Sequence, residues 1–228
     1  IKRDTPVMVV LGNPPYSVSS SNKSEWIEGL MQDYKKDLNE RNIQPLSDDY
    51  IKFIRYGQNF VDRTGSGVLA YISNNSFIDG VMHRKMRQSL LESFDHIYVI
   101  DLHGSTKKKE TAPDGSKDVN VFDIMQGVAI SFFVKTGKKA KNALAEVKQI
   151  DLYGKREEKY DFLEQNTLAS VDWKTLTLKA PEYFLVPKNF DDFPKYEKGF
   201  SLDFIFNEKS SGVKTHRDHL VIDANKLD

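Results

Sequence analysis

The chain has 228 residues, of which 33 are Lys or Arg, 33 are Asp or Glu and none is Cys. The absence of cysteine excludes disulfides and thiolate metal sites and fits a cytoplasmic protein, while the balanced charge means that any nucleic-acid-binding surface must be local. No apolar run is long enough to span a membrane, and no signal peptide is present. Because the chain starts at Ile1 without a Met, we expect it to be a piece of a longer protein.

The first predicted element is a strand at residues 7–11, an apolar run that is typical of a buried parallel strand. Asn13, Pro14, Pro15 and Tyr16 follow at its C-terminal end, where open α/β sheets bind ligands. The prolines fix their own φ angles and hold the residues before them extended, so the segment is stiff. It offers two hydrogen-bond acceptors, the Asn13 side-chain oxygen and the Pro14 carbonyl, beside the flat ring of Tyr16. Such a group suits a planar amine, for example N6 of adenine, because two accepted hydrogen bonds return electron density to the nitrogen.

Helices and strands alternate after this segment, with helices predicted at 25–42, 48–61 and 81–94 and strands at 68–72 and 97–102. The strand at 68–72 ends in a second polar patch. Its Asn74 and Asn75 are expected to bond nearby loop backbone, with a place in the wall of a site as the alternative. The third helix has a basic face, which we expect to be solvated rather than bound to phosphate: His83, Arg84, Lys85 and Arg87.

A long charged loop at 103–118 leads towards another strong strand at 127–135. Loops of this length inside a compact domain are often functional, and Lys107, Lys108 and Lys109 at its tip are candidates to contact a DNA backbone. A disordered surface loop is the alternative. The strands before and after the loop predict an antiparallel pair at the edge of the sheet.

The pattern changes beyond residue 140. A short strand at 146–153 and a charged helix at 155–165 precede a stretch that is too rich in Tyr and Phe to be exposed. His216 and His219 lie near an acid, but their spacing without further ligands is weak, and no metal site is predicted. Arg217 is a candidate DNA contact, with a structural salt bridge as the alternative.

Two of these segments resemble a known family. Asn-Pro-Pro-Tyr after an apolar strand resembles the catalytic motif of N6-adenine DNA methyltransferases, and the stretch from Val121 to Ile130 resembles the segment before their last strand. The resemblance implies that Asn13, Pro14, Pro15 and Tyr16 are the catalytic residues, among which Asn13 and Pro14 hold the amine of a flipped adenine. It also implies that Tyr16 stacks on the base and that Phe122 braces it; a core position for Phe122 is the alternative.

The resemblance also implies an architecture. We expect an α/β fold, with residues 1–140 forming the second half of a class I, Rossmann-like methyltransferase domain whose last strand is antiparallel. Residues 141–228 resemble the mixed α+β connector towards a target-recognition domain in fused restriction-modification enzymes of the type ISP and Eco57I-like kind. The implied partners are double-stranded DNA, the upstream half of the domain and the downstream recognition domain.

The family's S-adenosylmethionine loop precedes the Asn-Pro-Pro-Tyr strand, and only six residues precede that strand here. The resemblance therefore implies that S-adenosylmethionine is the cofactor of the parent enzyme, while this chain alone binds it weakly and is inactive. Two other functions stay open. The first is methylation of a protein glutamine amide, because those enzymes share the motif, and the second is a non-catalytic DNA-binding or scaffolding module.

Overall fold

The computed structural model of the protein describes residues 6–17, 20–200 and 202–205. The chain divides into two compact units, Ile1–Lys188 and Asn189–Asp228. In chain order, the elements of the first unit are β1 (Val9–Gly12), α1 (Glu25–Lys35), α2 (Asp49–Thr64), β2 (Gly67–Asn74), α3 (Ser76–Asp79), α4 (Arg84–Ser93), β3 (His96–His103), β4 (Val128–Lys135), β5 (Glu146–Asp151), α5 (Arg156–Gln165) and β6 (Lys174–Thr175).

The strands form one six-stranded mixed sheet in the order β1-β2-β4-β3-β5-β6. β1 is parallel to β2, and β3 is parallel to β5, whereas β4 is antiparallel to both β2 and β3. This arrangement confirms the predicted α/β class with an antiparallel strand after the long loop. One end of the sheet, called the sheet edge below wherever strand ends are meant, consequently brings together the C-terminal ends of β1, β2 and β3 and the N-terminal end of β4.

Side-chain alternation divides the sheet into two buried faces. On β3, Ile97 and Val99 belong to a first core that also contains buried side chains of α1, α2 and α4. The alternate residues Ile100 and Leu102 belong to a second core, onto which Phe162 of α5 packs. Both faces of the central strands are therefore covered, as their near-continuous apolar sequence requires.

Helix α2 reaches the sheet closely because of one glycine. A Cβ at Gly57 would lie 2.5 Å from the Leu69 Cδ1 atom of β2, so a larger residue would push the helix away. The helix ends at Gly65, whose φ of 85° is the left-handed conformation that favours glycine after a helix. The close packing at Gly57 and the turn at Gly65 together place β2 directly after α2, against the same helix.

The prediction that β1 is buried was wrong in one respect. Among residues 6–17, 20–200 and 202–205, the strand has a sheet neighbour on one side only, and Val9 and Leu11 are 59% and 74% exposed. Val10 alone turns inward, against the first core. An edge strand with apolar side chains on its open face is a surface to which further protein could add.

The predicted antiparallel pair of β3 and β4 exists, but these two strands are in the middle of the sheet and not its outermost strands. β5 adds to the far side of β3, because Val147 and Ile150 each bury against one of the two cores. The sheet thus continues beyond residue 140. The boundary predicted there concerns the domains of a longer protein and stays a prediction.

The described part of the second unit contains two short helices, α6 (Phe193–Glu197) and α7 (Leu202–Ile205). Among the helices that the structure describes, none combines the length and the apolar character that crossing a bilayer requires.

Candidate functional site

The Asn-Pro-Pro-Tyr segment leaves the tip of β1 at the sheet edge where the strand ends meet. Asn13 and Pro15 are exposed, Pro14 is buried and Tyr16 is half-buried. The side chain of Asn13 makes no hydrogen bond to another described residue and is open to solvent. The predicted acceptor is thus available to a ligand.

Tyr16 lies against the start of α2. Its ring meets Tyr50 edge-on, with centroids 6.1 Å apart, and its buried hydroxyl has no hydrogen-bond partner among the described residues. Burial, with the nearby Asp48 carboxylate, raises the pKa of Tyr16 to about 12. The Ser17 N–H donates to Asp48 at 2.8 Å, and the Ser17 carbonyl accepts from the N–H of Asp49. The motif is therefore anchored just after Tyr16, and the phenol stays neutral at physiological pH.

A cleft of about 350 Å³ opens beside Tyr16. Residues from the motif, the start of α2, the end of β2, the turn before α4 and the long loop line it: Tyr16, Pro45, Asp48, Tyr50, Asn74, Asn75, Ser76, His83, Ser105, Lys107, Lys108, Gln126 and Gly127. Of the predicted site residues, the cleft brings together Tyr16, Lys107 and Lys108. Asn13, Pro14 and Pro15 stand on the same strand tip as Tyr16 and do not line this cleft.

Two asparagines at the end of β2 form part of the cleft wall. The side-chain oxygen of Asn74 accepts hydrogen bonds from the N–H and hydroxyl of Ser76, at 2.9 and 2.7 Å, as the predicted local role requires. Asn75 instead donates its side-chain N–H to Asp101 at 3.0 Å. Gly127 packs so closely that a Cβ there would lie 2.7 Å from the Asn75 amide nitrogen. Asn75 is therefore held in one orientation.

The long loop before β4 is ordered, and the alternative of a disordered surface loop was wrong. A buried ion pair fixes it, since Lys159 of α5 donates to Asp118 at 2.7 Å and neither side chain is exposed. Asp118 also accepts from the N–H of Gly104. Asn120 donates its side-chain N–H groups to three loop carbonyls, including that of Gln126 at 2.7 Å. Asp118 is therefore a buried anchor of the loop.

The three loop lysines are exposed at the tip of this ordered loop. Lys107 and Lys108 reach the cleft, and Lys109 adopts a φ of 51° in the turn. Their contact with a DNA backbone stays a prediction. Arg217, His216 and His219 lie outside the described residues.

Phe122 is half-buried and packs against the second core, and its N–H donates to Asn120 at 2.9 Å. It does not line the cleft beside Tyr16. Its contact with a base stays a prediction, and the packing observed here agrees with the alternative of a core position.

A histidine that the sequence did not single out occupies the end of β3. His103 lies 2.9 Å from Asp151 through Nε2 and 3.7 and 3.9 Å from Asp101 and Glu110 through Nδ1, and it stacks on Tyr153. Burial alone would lower the pKa of His103, but the hydrogen bonds to Asp151 and Glu110 raise it to about 9. Asp101, His103 and Asp151 each offer one possible metal-ligand atom, and these atoms all lie within 4.8 Å of one another; the protonated imidazole can instead act as a donor at both nitrogens, to Asp151 and the carboxylates beside Nδ1. Asp151 is 48 residues away, which no local pattern reveals.

The expectation that His83 is solvated was wrong, because this residue lines the cleft itself. His83 is 4% exposed, and neither ring nitrogen has a hydrogen-bond partner among the described residues. Burial, with the neighbouring positive charge of Arg87, lowers the pKa of His83 to about 4. The expected solvated face was wrong for Arg87 too, because its guanidinium is fully buried against four backbone carbonyls: Phe77, Gly80, Glu182 and Tyr183.

The described residues do not form a site that fits S-adenosylmethionine. The turn with closely spaced glycines, Gly65 to Gly67, lies at the start of β2, whereas the cleft lies at the end of that strand. The open edge of β1 is where more of a sheet can be added.

Comparison with known proteins gives the same picture. Residues 7–107 match the Eco57I restriction-modification methylase family. No curated protein matches the chain in sequence.

Three solved structures are similar over most of the chain. The Type ISP restriction-modification enzyme LlaBIII bound to DNA superposes with a TM-score of 0.69 at 28% identity, covering 83% of this chain and 13% of that one. A nuclease-deletion mutant of the Type ISP enzyme LlaGI in complex with a DNA substrate mimic superposes with a TM-score of 0.67 at 26% sequence identity. This match covers 78% of the present chain and 18% of the LlaGI chain. The DrdV–DNA complex superposes with a TM-score of 0.66 at 25% sequence identity, and the match covers 79% of the present chain and 18% of the DrdV chain. The chain thus spans less than a fifth of the length of each.

Proposed function

Because residues 7–107 form part of an Eco57I restriction-modification methylase domain, we propose that the parent protein methylates N6 of adenine in double-stranded DNA. The observation that carries this proposal is the placement of the Asn-Pro-Pro-Tyr segment. It leaves the tip of β1 with Asn13 exposed, and Tyr16 lines a cleft at the same sheet edge. In this proposal the chain supplies the part of the site that receives the amine.

The chemistry of this side follows from the residues. Asn13 through its side-chain oxygen and Pro14 through its carbonyl accept hydrogen bonds from the two N–H groups of the adenine amine. These bonds oppose delocalisation of the nitrogen lone pair into the ring and orient it for reaction. Tyr16 offers its ring face to the base, and Phe122 braces it. Stacking recovers about 1–3 kcal/mol per base, which offsets part of the cost of flipping it out of the duplex.

Two observations favour DNA over a protein substrate. The three similar structures are each described as bound to DNA or to a DNA mimic. Lys107 and Lys108 line the cleft on an ordered loop, where cations suit the phosphates that flank a flipped nucleotide. Arg217 is a further candidate for the backbone.

S-adenosylmethionine is the methyl donor that the family implies, and when bound it supplies an electrophilic methyl group. Because the described residues do not form its site, we assign that site to parts of the parent protein other than this chain. The isolated chain is accordingly expected to be inactive.

The decisive test is Asn13→Ala in the full-length parent protein. Loss of the acceptor should lower methylation of a DNA duplex by about 100- to 1,000-fold, a loss on the scale of removing one oxyanion-hole donor. DNA affinity should stay within about twofold, because phosphate contacts supply most of it. Transfer of tritium from labelled S-adenosylmethionine, with DNA and protein counted separately, measures the first quantity.

Asn39→Ala is the matched control, since Asn39 is equally exposed but lies in the loop between α1 and α2. It should retain wild-type methylation and binding. Full activity of the Asn13 variant would remove the proposed role of the motif. Label in protein rather than DNA would favour the glutamine alternative.

A further inference from the structure

One buried side chain in the cleft lacks a partner and has no assigned role. We propose that His83 is a base-reading residue, whose neutral imidazole donates a hydrogen bond to a ring nitrogen of the purine held in the cleft. The assignment rests on the proposed function and specifies how the cleft recognises its base.

The position of His83 is the first argument. It ends the 3₁₀ turn Val81–His83 immediately before α4, and it lines the same cleft as Tyr16. It is 4% exposed, yet neither Nδ1 nor Nε2 meets a hydrogen-bonding group among the described residues. Burying a polar group without a partner is costly, and such groups concentrate where a ligand completes the bonding.

The second argument identifies the nitrogen. A Cβ at Gly80 would lie 2.6 Å from His83 Nδ1, so this nitrogen lies against the backbone of Gly80. Both nitrogens are enclosed by protein atoms, and Nε2 is the one that does not pack against Gly80, so we assign the ligand contact to Nε2. Because Gly80 leaves no room for a side chain, the imidazole is also held in place from that side.

The third argument is the charge of the cleft wall. Arg87 lies beside His83 and is fixed by backbone carbonyls, so its positive charge opposes protonation of the imidazole. A neutral imidazole has one N–H donor and one acceptor. The hydroxyl of Tyr16, which is also buried without a partner, is neutral as well. Asp48 also lines the cleft, and its carboxylate accepts from the N–H of Ser17. The neutral His83 and Tyr16, with Lys107 and Lys108 at the same cleft, fit an uncharged heterocycle attached to a phosphate backbone.

The test replaces single atoms of the base. The full-length parent protein is assayed on duplexes whose target adenine is replaced by 1-deaza-, 3-deaza- or 7-deazaadenine, each lacking one ring acceptor. With wild-type protein, kcat/KM for one analogue should fall about tenfold more than for the other two, as expected for one lost hydrogen bond. With His83→Phe, kcat/KM on adenine should fall about tenfold, and that extra loss on the analogue should disappear.

Two further variants separate a base contact from a structural role. His83→Gln places an amide N–H near the position of Nε2 and should restore part of the discrimination. His96→Phe, at the opposite end of β3, should behave as wild type. If the Phe variant fails to fold, the comparison of the wild type with His83→Gln on the three analogues decides, since the amide should restore only part of the discrimination.

Each outcome has one meaning. Equal losses on all three analogues, or a Phe variant that keeps the discrimination, would overturn the assignment and indicate that water or protein satisfies His83. Absence of methylation on unmodified adenine by wild-type protein would refute the proposed function, and the assignment with it.

Discussion

The motif segment at residues 13–17 and the long loop at residues 104–127 meet at the same sheet edge, but they are made rigid in different ways. The motif is stiff because Pro14 and Pro15 restrict the backbone covalently, and it meets the start of α2 through the hydrogen bonds of Ser17 and the ring contact of Tyr16 with Tyr50. The loop contains one proline, Pro113, and is held instead by side chains such as Asp118 and Asn120.

This difference determines how each region responds to change. Covalent stiffness is local and insensitive to pH, whereas the loop depends on ion pairs and hydrogen bonds to residues up to 41 positions away. The loop should therefore lose its order when a single partner is removed. The motif should lose its preorganisation gradually.

The largest expected effect comes from breaking the buried pair. Asp118→Asn leaves the charge of Lys159 buried without compensation, and it should lower the free energy of unfolding by about 3–5 kcal/mol. Urea denaturation measures this value, and hydrogen exchange should show faster exchange for the Gly104 amide. Asp114→Asn, in the same loop but exposed, is the control and should leave stability unchanged. A loss below about 1 kcal/mol would mean that the pair does not hold the loop.

The next effect is a pH dependence at the start of the loop. The folded-state pKa of His103, raised to about 9, exceeds its ordinary value of about 6.5. Its ion pairs with Asp151 and Glu110 therefore contribute fully below pH 6.5, and the contribution is lost as pH rises through 9.

The free energy of unfolding of the wild type minus that of His103→Gln should fall by on the order of 1–3 kcal/mol between pH 6 and pH 10. Taking the difference removes the titration of lysines and tyrosines common to both proteins. A difference that stays flat, or that rises with pH, would show that His103 is not charged in the folded state.

The smallest effect on stability should come from the motif prolines. Pro15→Ala gives the unfolded chain more freedom and should lower stability by only about 0.4–1 kcal/mol. It also frees Pro14 from its pre-proline restriction, so methylation by the full-length parent should fall severalfold. Pro113→Ala should cost similar stability and leave methylation intact. Equal activity of the two variants would show that proline stiffness does not serve the motif.

The same contrast explains what the sequence could predict. The strand, the two prolines and the aromatic ring of the motif are contiguous in the sequence, so their chemistry can be predicted without a structure. The buried roles of Asp118 and Arg87 depend on Lys159 and on the carbonyl of Glu182, far along the chain, and charged residues on amphipathic patterns ordinarily face solvent. His83 was missed for a related reason, because a lone histidine in a basic stretch gives no sign that both its nitrogens are enclosed.

The uncovered face of β1 has a practical consequence for handling these residues in isolation. A strand that offers unpaired backbone groups together with Val9 and Leu11 can recruit another copy by edge-to-edge addition. Purified material of this length should therefore grow in apparent mass with concentration. Leu11→Lys is the simplest remedy, since a charged side chain on an outermost strand discourages edge-to-edge pairing of two copies, and Leu11 does not line the cleft.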